Sequence, residues 1–206
     1  MSGDWTSLSY SGEITINGNN HTISKLNKPL LAGNAAGKLT ANNLTIADSN
    51  IGVAAVENGL GTGAFICYMD ATTSVAFNDC HLVKSTVTGN ERAAGLIGYS
   101  SANTSVSIKD CSVEGCTITA VGGTGGFIAY SQTPVDITNS EVTGTTVEST
   151  EDRTGKTALA GAVMGTVGAD TTFDNVTVSG NTVKNAGATA YSDMVGRVTA
   201  GTLTIK

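Results

Sequence analysis

The side chains in this 206-residue sequence best suited to chemistry are four cysteines, two histidines and a spaced series of acidic residues. Cys67, Cys80, Cys111 and Cys116 form neither a CxxC pair nor a Cys/His cluster with metal-ligand spacing, so no metal and no cofactor is expected. His21 and His81 follow directly on Asn20 and Asp79; by the register set out below, neither has a Ser, Cys or Glu partner that would make it a general base. Asp79 and Asp110 are adjacent carboxylates, the kind of pair that glycoside cleavage needs, although both also fall at a corner position with a structural reading of its own. No phosphate-binding loop, dinucleotide fingerprint or hydrolase nucleophile elbow occurs. The expectation is therefore that the protein is not an enzyme. The rival is a carbohydrate-active lyase or hydrolase that uses Asp79 and Asp110.

Residues suited to recognition are more promising. Tyr68, Tyr99 and Tyr130 recur at one spacing, and an aromatic column of this kind is either a structural stack or a platform for sugar rings. Glu57, Glu91, Arg92, Glu151, Asp152, Arg153 and Lys156 gather in connections of unequal length, either a solvated edge or a binding edge. Asn20, Asn43, Asn103 and Asn175 open Asn-x-Ser/Thr strings, three of which read as corner residues rather than glycosylation acceptors. Thr45, Thr177 and Thr204 suggest an outward threonine column of the ice-binding type, but His81, Ser112 and Glu141 interrupt it.

What positions these residues is a repeat. Ala64-Phe65-Ile66-Cys67-Tyr68, Gly95-Leu96-Ile97-Gly98-Tyr99 and Gly126-Phe127-Ile128-Ala129-Tyr130 follow one another at steps of 31 residues, and Val163-Met164-Gly165 and Met194-Val195-Gly196 continue the series. A second block, Val75-x-Phe77-x-x-Cys80-x-Leu82, aligns with Val106-x-Ile108-x-x-Cys111-x-Val113, Val135-x-Ile137-x-x-Ser140-x-Val142 and Thr171-x-Phe173-x-x-Val176-x-Val178. Alternation of period two that shifts phase once and resumes describes two strands meeting at a tight corner. Asn43, Asp79, Asp110, Asn139 and Asn175 occupy that corner, where a left-handed backbone suits Asn and Asp. Ile51, Val87, Ile118, Val147 and Val183, each five residues beyond the second strand's last inward residue, mark a third strand.

The fold expected is all-β: a right-handed, single-stranded parallel β-helix with three short strands per coil and about six coils, which at the usual strand spacing makes a rod of roughly 30 Å. Like residues stack on like, with an Asn/Asp ladder at the corner. Cys80 and Cys111 share one inward column, as stacked thiols or as a bonded pair. One domain spans residues 1–206, with 1–13 as an N-terminal cap, coils from 14 to 206 and a truncated last coil that predicts a longer parent chain.

Composition agrees with such a fold and narrows its partners. Charged residues are 14% and aromatics 5%, with 26 glycines and two prolines, a mixture that favours strands and turns. A net charge of −6 with only 11 Lys and Arg opposes nucleic-acid binding. No apolar run approaches the roughly 18 residues that would insert in a membrane, and no export signal precedes the repeats.

Gly95-Leu96-Ile97-Gly98 resembles the GLUG motif of repetitive bacterial surface proteins, with Gly126-Phe127-Ile128-Ala129 and Ala64-Phe65-Ile66-Cys67 as degenerate copies. Ile14-x-Ile16-Asn17-Gly18-Asn19-Asn20-His21-Thr22-Ile23 is similar to the first coil of such β-helices. The resemblance implies an extracellular or cell-surface protein with an adhesin-like role and a glycan or host surface protein as partner. In some relatives the repeats accompany immunoglobulin-cleaving peptidases, whose catalytic residues have no counterpart here.

Overall fold

A computed structural model describes residues 4–32, 37–52, 61–69, 74–101, 105–151, 159–187 and 189–206. Among these the regular structure is entirely β, and every strand pairing is parallel. Parallel neighbours need a crossover between them. Here that crossover is the rest of one coil, so the chain is a β-solenoid, as the repeat predicts.

One coil runs through Ile97–Ser100, Val106–Lys109, Ser112–Glu114, Thr117–Ala120 and Gly123–Gly125 before Ile128–Ser131 begins the next. The two central segments belong to one long bent sheet; in the neighbouring coils Ser74–Val83, Val135–Thr143 and Thr171–Ser179 cross the same bend as single strands. Four sheets result where three strands per coil were expected. The unforeseen one pairs Thr62–Gly63, Arg92–Ala94, Gly123–Gly125 and Ala160–Gly161, just before the Gly-Leu stretch. Segments of two or three residues, small apart from Arg92, have no room for a period-two pattern, which is why alternation could not reveal them. They are small because the chain turns against its own backbone there. A Cβ on Gly63 would lie 2.3 Å from the carbonyl oxygens of both Ile66 and Leu96.

The bend is set by backbone conformation. Asn43, Asp79, Asp110, Asn139 and Asn175 have φ of 52°, 53°, 55°, 49° and 54°. Asn and Asp are the side chains that adopt this left-handed region most readily. A second corner uses Lys25, Asp48, Lys84, Gly115, Gly144 and Gly180, with φ between 45° and 63°. Its residues change from Lys and Asp in the first coils to Gly in the later ones, so no single type marks it along the chain.

After each corner the side chain turns inward, and where it is Ser, Thr or Cys it bonds between coils. At the first, Ser140 Oγ donates to the Thr138 carbonyl at 2.8 Å and accepts the Cys111 N–H at 3.1 Å. At the second, Ser85 Oγ donates to the Val83 carbonyl at 2.9 Å and accepts the Ser49 N–H at 3.1 Å. The polar ladder on the outer side of the first corner is interrupted. Asn43 Nδ2 donates to Asp79 at 2.7 Å and Asn175 Nδ2 to Asn139 at 3.0 Å, but Asp79 and Asp110 are both acceptors. An Asn ladder, like on like but one residue before the corner where it was expected, runs from Asn78 to Asn42 at 2.9 Å and from Asn42 to Asn17 at 2.8 Å.

Inside, the columns close-pack. Phe77, Ile108, Ile137 and Phe173 stack in register and are fully buried, and Phe65 meets Phe77 edge-on at 5.5 Å. Burial fades where only one coil covers a residue: Ile14, Ile16, Val176 and Val178 are half-buried, and His21, opposite buried Leu44, is exposed. Residues 5–8 lie along 27–31. Leu8 bridges Leu31, and the Trp5 indole N–H donates to the Pro29 carbonyl at 3.0 Å.

Asn139 allows a direct test of the corner. Asn139→Ala is expected to cost about 1–2 kcal/mol, because Ala in a left-handed conformation is strained. Asn139→Gly, which keeps that conformation accessible, should cost distinctly less even though both lose the bond from Asn175. Equal shifts of the urea midpoint for the two variants would show that the side-chain bond, not the backbone, governs this corner.

Candidate functional site

On the outward side of the bend, a side chain two residues past each corner stands beside its counterpart one coil away. This column reads Thr45, His81, Ser112, Glu141 and Thr177. From His81 to Thr177 the column lines, with the corner residues Asp110, Asn139 and Asn175, an open groove of about 330 Å³. His81 is the centre of its hydrogen bonding. Its Nε2 lies 3.0 Å from Asp79 Oδ1, and its Nδ1 lies 2.8 Å from Ser112 Oγ. Asp79, on the far side of the ring, also accepts from Asn43. Bonds from Asn43 first and His81 second hold the Asp79 carboxyl below its ordinary value, so it stays an acceptor. Because that carboxylate only accepts, Nε2 is the donor of the pair, and in the neutral imidazole Nδ1 is left to accept from the Ser112 hydroxyl.

The sequence reading gave His81 no Ser, Cys or Glu partner. That is corrected here: register sets Ser112 directly opposite His81, and adjacent coils are close enough for unlike outward residues to bond. The signal was present in the sequence. It was the same interruption, His81-Ser112-Glu141, that breaks the threonine column. Thr204 does not belong to that column at all, since it pairs with Thr172 in the other arm of the bent sheet.

The tyrosines do share a column. Tyr68 pairs with Tyr99 and Tyr99 with Tyr130, and Thr166 and Arg197 continue the series. All three rings are half-buried. Tyr99 and Tyr130 have centroids 5.6 Å apart and planes at 56°, so they make an angled surface rather than one flat face. Gln132 fixes their hydroxyls: Tyr99 donates to its Oε1 at 2.7 Å, and its Nε2 donates to the Tyr130 oxygen at 3.0 Å. The guanidinium carbon of Arg92 lies 5.2 Å from one centroid and 5.0 Å from the other, within cation–π range of both. Of the charged edge residues, Glu91, Arg92 and Glu151 are described; Glu57, Asp152, Arg153 and Lys156, like Asn103, lie outside the described residues.

The four cysteines are free and buried. Cys80 and Cys111 are neighbours in the first post-corner column, and the Cys80 N–H donates to Cys111 Sγ at 3.4 Å. Cys111 Sγ in turn donates to the Lys109 carbonyl at 3.2 Å, the pattern Ser140 makes one coil on. Cys116 does the same with Glu114 at 3.3 Å, in the column of Ser85 and Thr145. These thiols stand in for hydroxyls. The bond with Cys80, and then burial, push the Cys111 thiol up, and burial pushes Cys116 up to about 11, so neither is a nucleophile at neutral pH.

The chain matches no protein-family model and no curated protein, so the GLUG resemblance rests on the residues quoted for it. Among solved structures it is similar to a "putative immunoglobulin A1 protease" from Bacteroides ovatus, with a TM-score of 0.53 and 16% identity, over 99% of this chain and 73% of that one. At that identity the likeness establishes the fold. The expectation that this protein is not an enzyme nevertheless falls, because the same scaffold occurs in a protein named as a protease and because His81 has the acid and hydroxyl partners it was thought to lack.

If the cysteines act as corner hydroxyls, Cys111→Ser should shift stability by less than about 1 kcal/mol, while Cys111→Ala strands a buried N–H and should cost about 1–3 kcal/mol. Native protein should also leave all four thiols unmodified by an aromatic disulfide reagent at pH 8 and release four equivalents once unfolded. Rapid reaction of the folded protein would contradict the buried assignment.

Proposed function

We propose that this chain is a recognition module of an exported bacterial protein, surface-exposed or secreted, that engages a host glycan or host surface protein through Tyr68, Tyr99 and Tyr130. The observation carrying this reading is the Tyr99–Tyr130 pair, held in place by Gln132 and flanked by Arg92. Tyr and Arg are the types that concentrate binding energy at interfaces, since each combines large apolar area with polar groups. Rings fixed before binding lose little freedom on contact, so more of that energy is realised as affinity.

The setting supports recognition. The solenoid makes a stiff scaffold, and its outward columns repeat at the coil spacing, which suits a ligand with repeating groups such as a polysaccharide or an extended peptide. An angled pair of rings with hydroxyls tied to an amide offers a sugar both an apolar wall and hydrogen-bonding groups. The protein named for the Bacteroides ovatus structure makes immunoglobulin A1 the first host protein to try.

Purified protein should bind at least one class on a glycan array, or immobilised immunoglobulin A1. Tyr99→Ala with Tyr130→Ala should weaken that binding at least about tenfold, equivalent to about 1.4 kcal/mol. Including Tyr68→Ala should weaken it further. Unchanged binding by the triple variant, or none by the parent protein to either surface, would retire the tyrosine site.

A further inference from the structure

The groove at the bend has a chemistry that recognition by the tyrosines does not use. Three side chains from two coils stand in one hydrogen-bonded line: the Asp79 carboxylate, the His81 imidazole and the Ser112 hydroxyl, at 3.0 Å and 2.8 Å. Core packing does not account for them, because this column points outward and elsewhere accepts Thr45, Glu141 and Thr177. Ser112 ends the line, at the groove wall. From the Asp79–His81–Ser112 line in this groove, we propose that Ser112 is the nucleophile of an acyl-transfer site, with His81 as its general base and Asp79 as the residue that positions His81.

Each part follows from a group already located. A serine hydroxyl is a weak nucleophile until a base takes its proton, and Nδ1 of His81 is within hydrogen-bond reach of that proton. The acceptor at Nε2 keeps the ring in the tautomer that leaves Nδ1 bare, and it stabilises the imidazolium that forms. Which ring nitrogen faces the serine does not matter to the chemistry, provided the other is held by the acid. The negative oxygen of a tetrahedral intermediate needs a donor. Asn139 accepts from Asn175 on its amide oxygen, so its amide nitrogen is the donor on the groove wall.

The groove also selects the substrate. Asp110 and Glu141 line it beside Ser112, so an anionic acyl compound is repelled, while a neutral or positively charged ester is accepted. Esters are favoured over amides because an alkoxide leaves more easily than an amide anion. The open mouth admits an acyl group carried on a larger polymer.

In the first step the Ser112 proton passes to His81 as Oγ adds to the carbonyl carbon. The carbon–oxygen bond to the alcohol breaks, and the alcohol leaves with that proton. Water then adds to the acyl-serine, giving a proton to His81. The bond to Oγ breaks, the proton returns to Ser112, and the carboxylic acid is released. Water is the only co-reactant.

The test joins labelling to turnover in the intact chain. A fluorophosphonate probe should modify Ser112, located by peptide mass spectrometry, and p-nitrophenyl acetate should be hydrolysed faster than in buffer. Ser112→Ala should abolish the label and lower kcat by about a hundredfold or more. His81→Thr introduces a residue the column already holds at Thr45, and should do the same with the far-ultraviolet circular dichroism unchanged. Asp79→Asn places at the corner the residue present at Asn43 and Asn139, and should lower kcat while leaving KM unaltered. No label at Ser112, or hydrolysis that survives Ser112→Ala, overturns the proposal. The label and the acetate assay read Ser112 at the bend, whereas the glycan array and immobilised immunoglobulin read the tyrosine column, so failure here and failure of the binding site are separate results.

Discussion

The structure depends on the hydrogen bond that crosses from one coil to the next just after each corner. A left-handed corner turns the chain sharply but takes its next backbone N–H away from the regular ladder, and a buried N–H without an acceptor is costly. The inward side chain of the following coil supplies the acceptor, and its own proton goes to the carbonyl two residues back. Ser49, Ser85, Thr145, Ser140, Cys111 and Cys116 all make the second of these bonds. Wherever that side chain is Ser, Thr or Cys it serves the N–H of the coil before it, which fixes register between those coils at both corners. The outward columns inherit that register.

This constraint explains which parts of the molecule the sequence revealed. Period-two alternation on either side of Asp79 and Asp110 exposed the bent sheet, and a fixed step between Phe65, Leu96 and Phe127 exposed the coil. The fourth sheet stayed hidden, because Ala93-Ala94 and Thr124-Gly125 carry neither length nor alternation. The second corner stayed hidden for another reason. Lys84 and Gly115 share a backbone conformation and nothing else, and alignment by residue type cannot detect a shared φ.

The cysteines and the histidine show opposite failures of the same habit. Cys116 shares a column with Ser85 and Thr145, and only that register shows it as a hydroxyl substitute, since its own neighbours in sequence give no sign of the role. His81 was placed in one column with Ser112, yet the two were treated as interruptions of a threonine series rather than as partners. In a stack of parallel strands the nearest neighbour of a side chain is its counterpart one coil away. Unlike counterparts are therefore the places where chemistry arises, since a donor beside an acceptor can do what a donor beside a donor cannot. Asp79 illustrates the point: stacked near Asp110 it has no partner there, and it turns to Asn43 and His81 instead.

A solenoid separates the residues that hold it together from those that act. The inward columns and corners must satisfy packing and hydrogen bonding at every coil, so they admit few types. The outward columns satisfy nothing in the backbone, which is why Thr45, His81, Ser112, Glu141 and Thr177 can follow one another without disturbing a single ladder bond. Likeness of fold at 16% identity is the natural result, because the shared constraint lies inside while the outward residues remain free to differ. Kinship of scaffold with a protein named as a protease therefore removes the ground for excluding catalysis but assigns no residue to it. The proposed recognition and acyl transfer accordingly rest on outward places: the tyrosine pair beside Arg92, and the serine that faces a histidine already held by an acid.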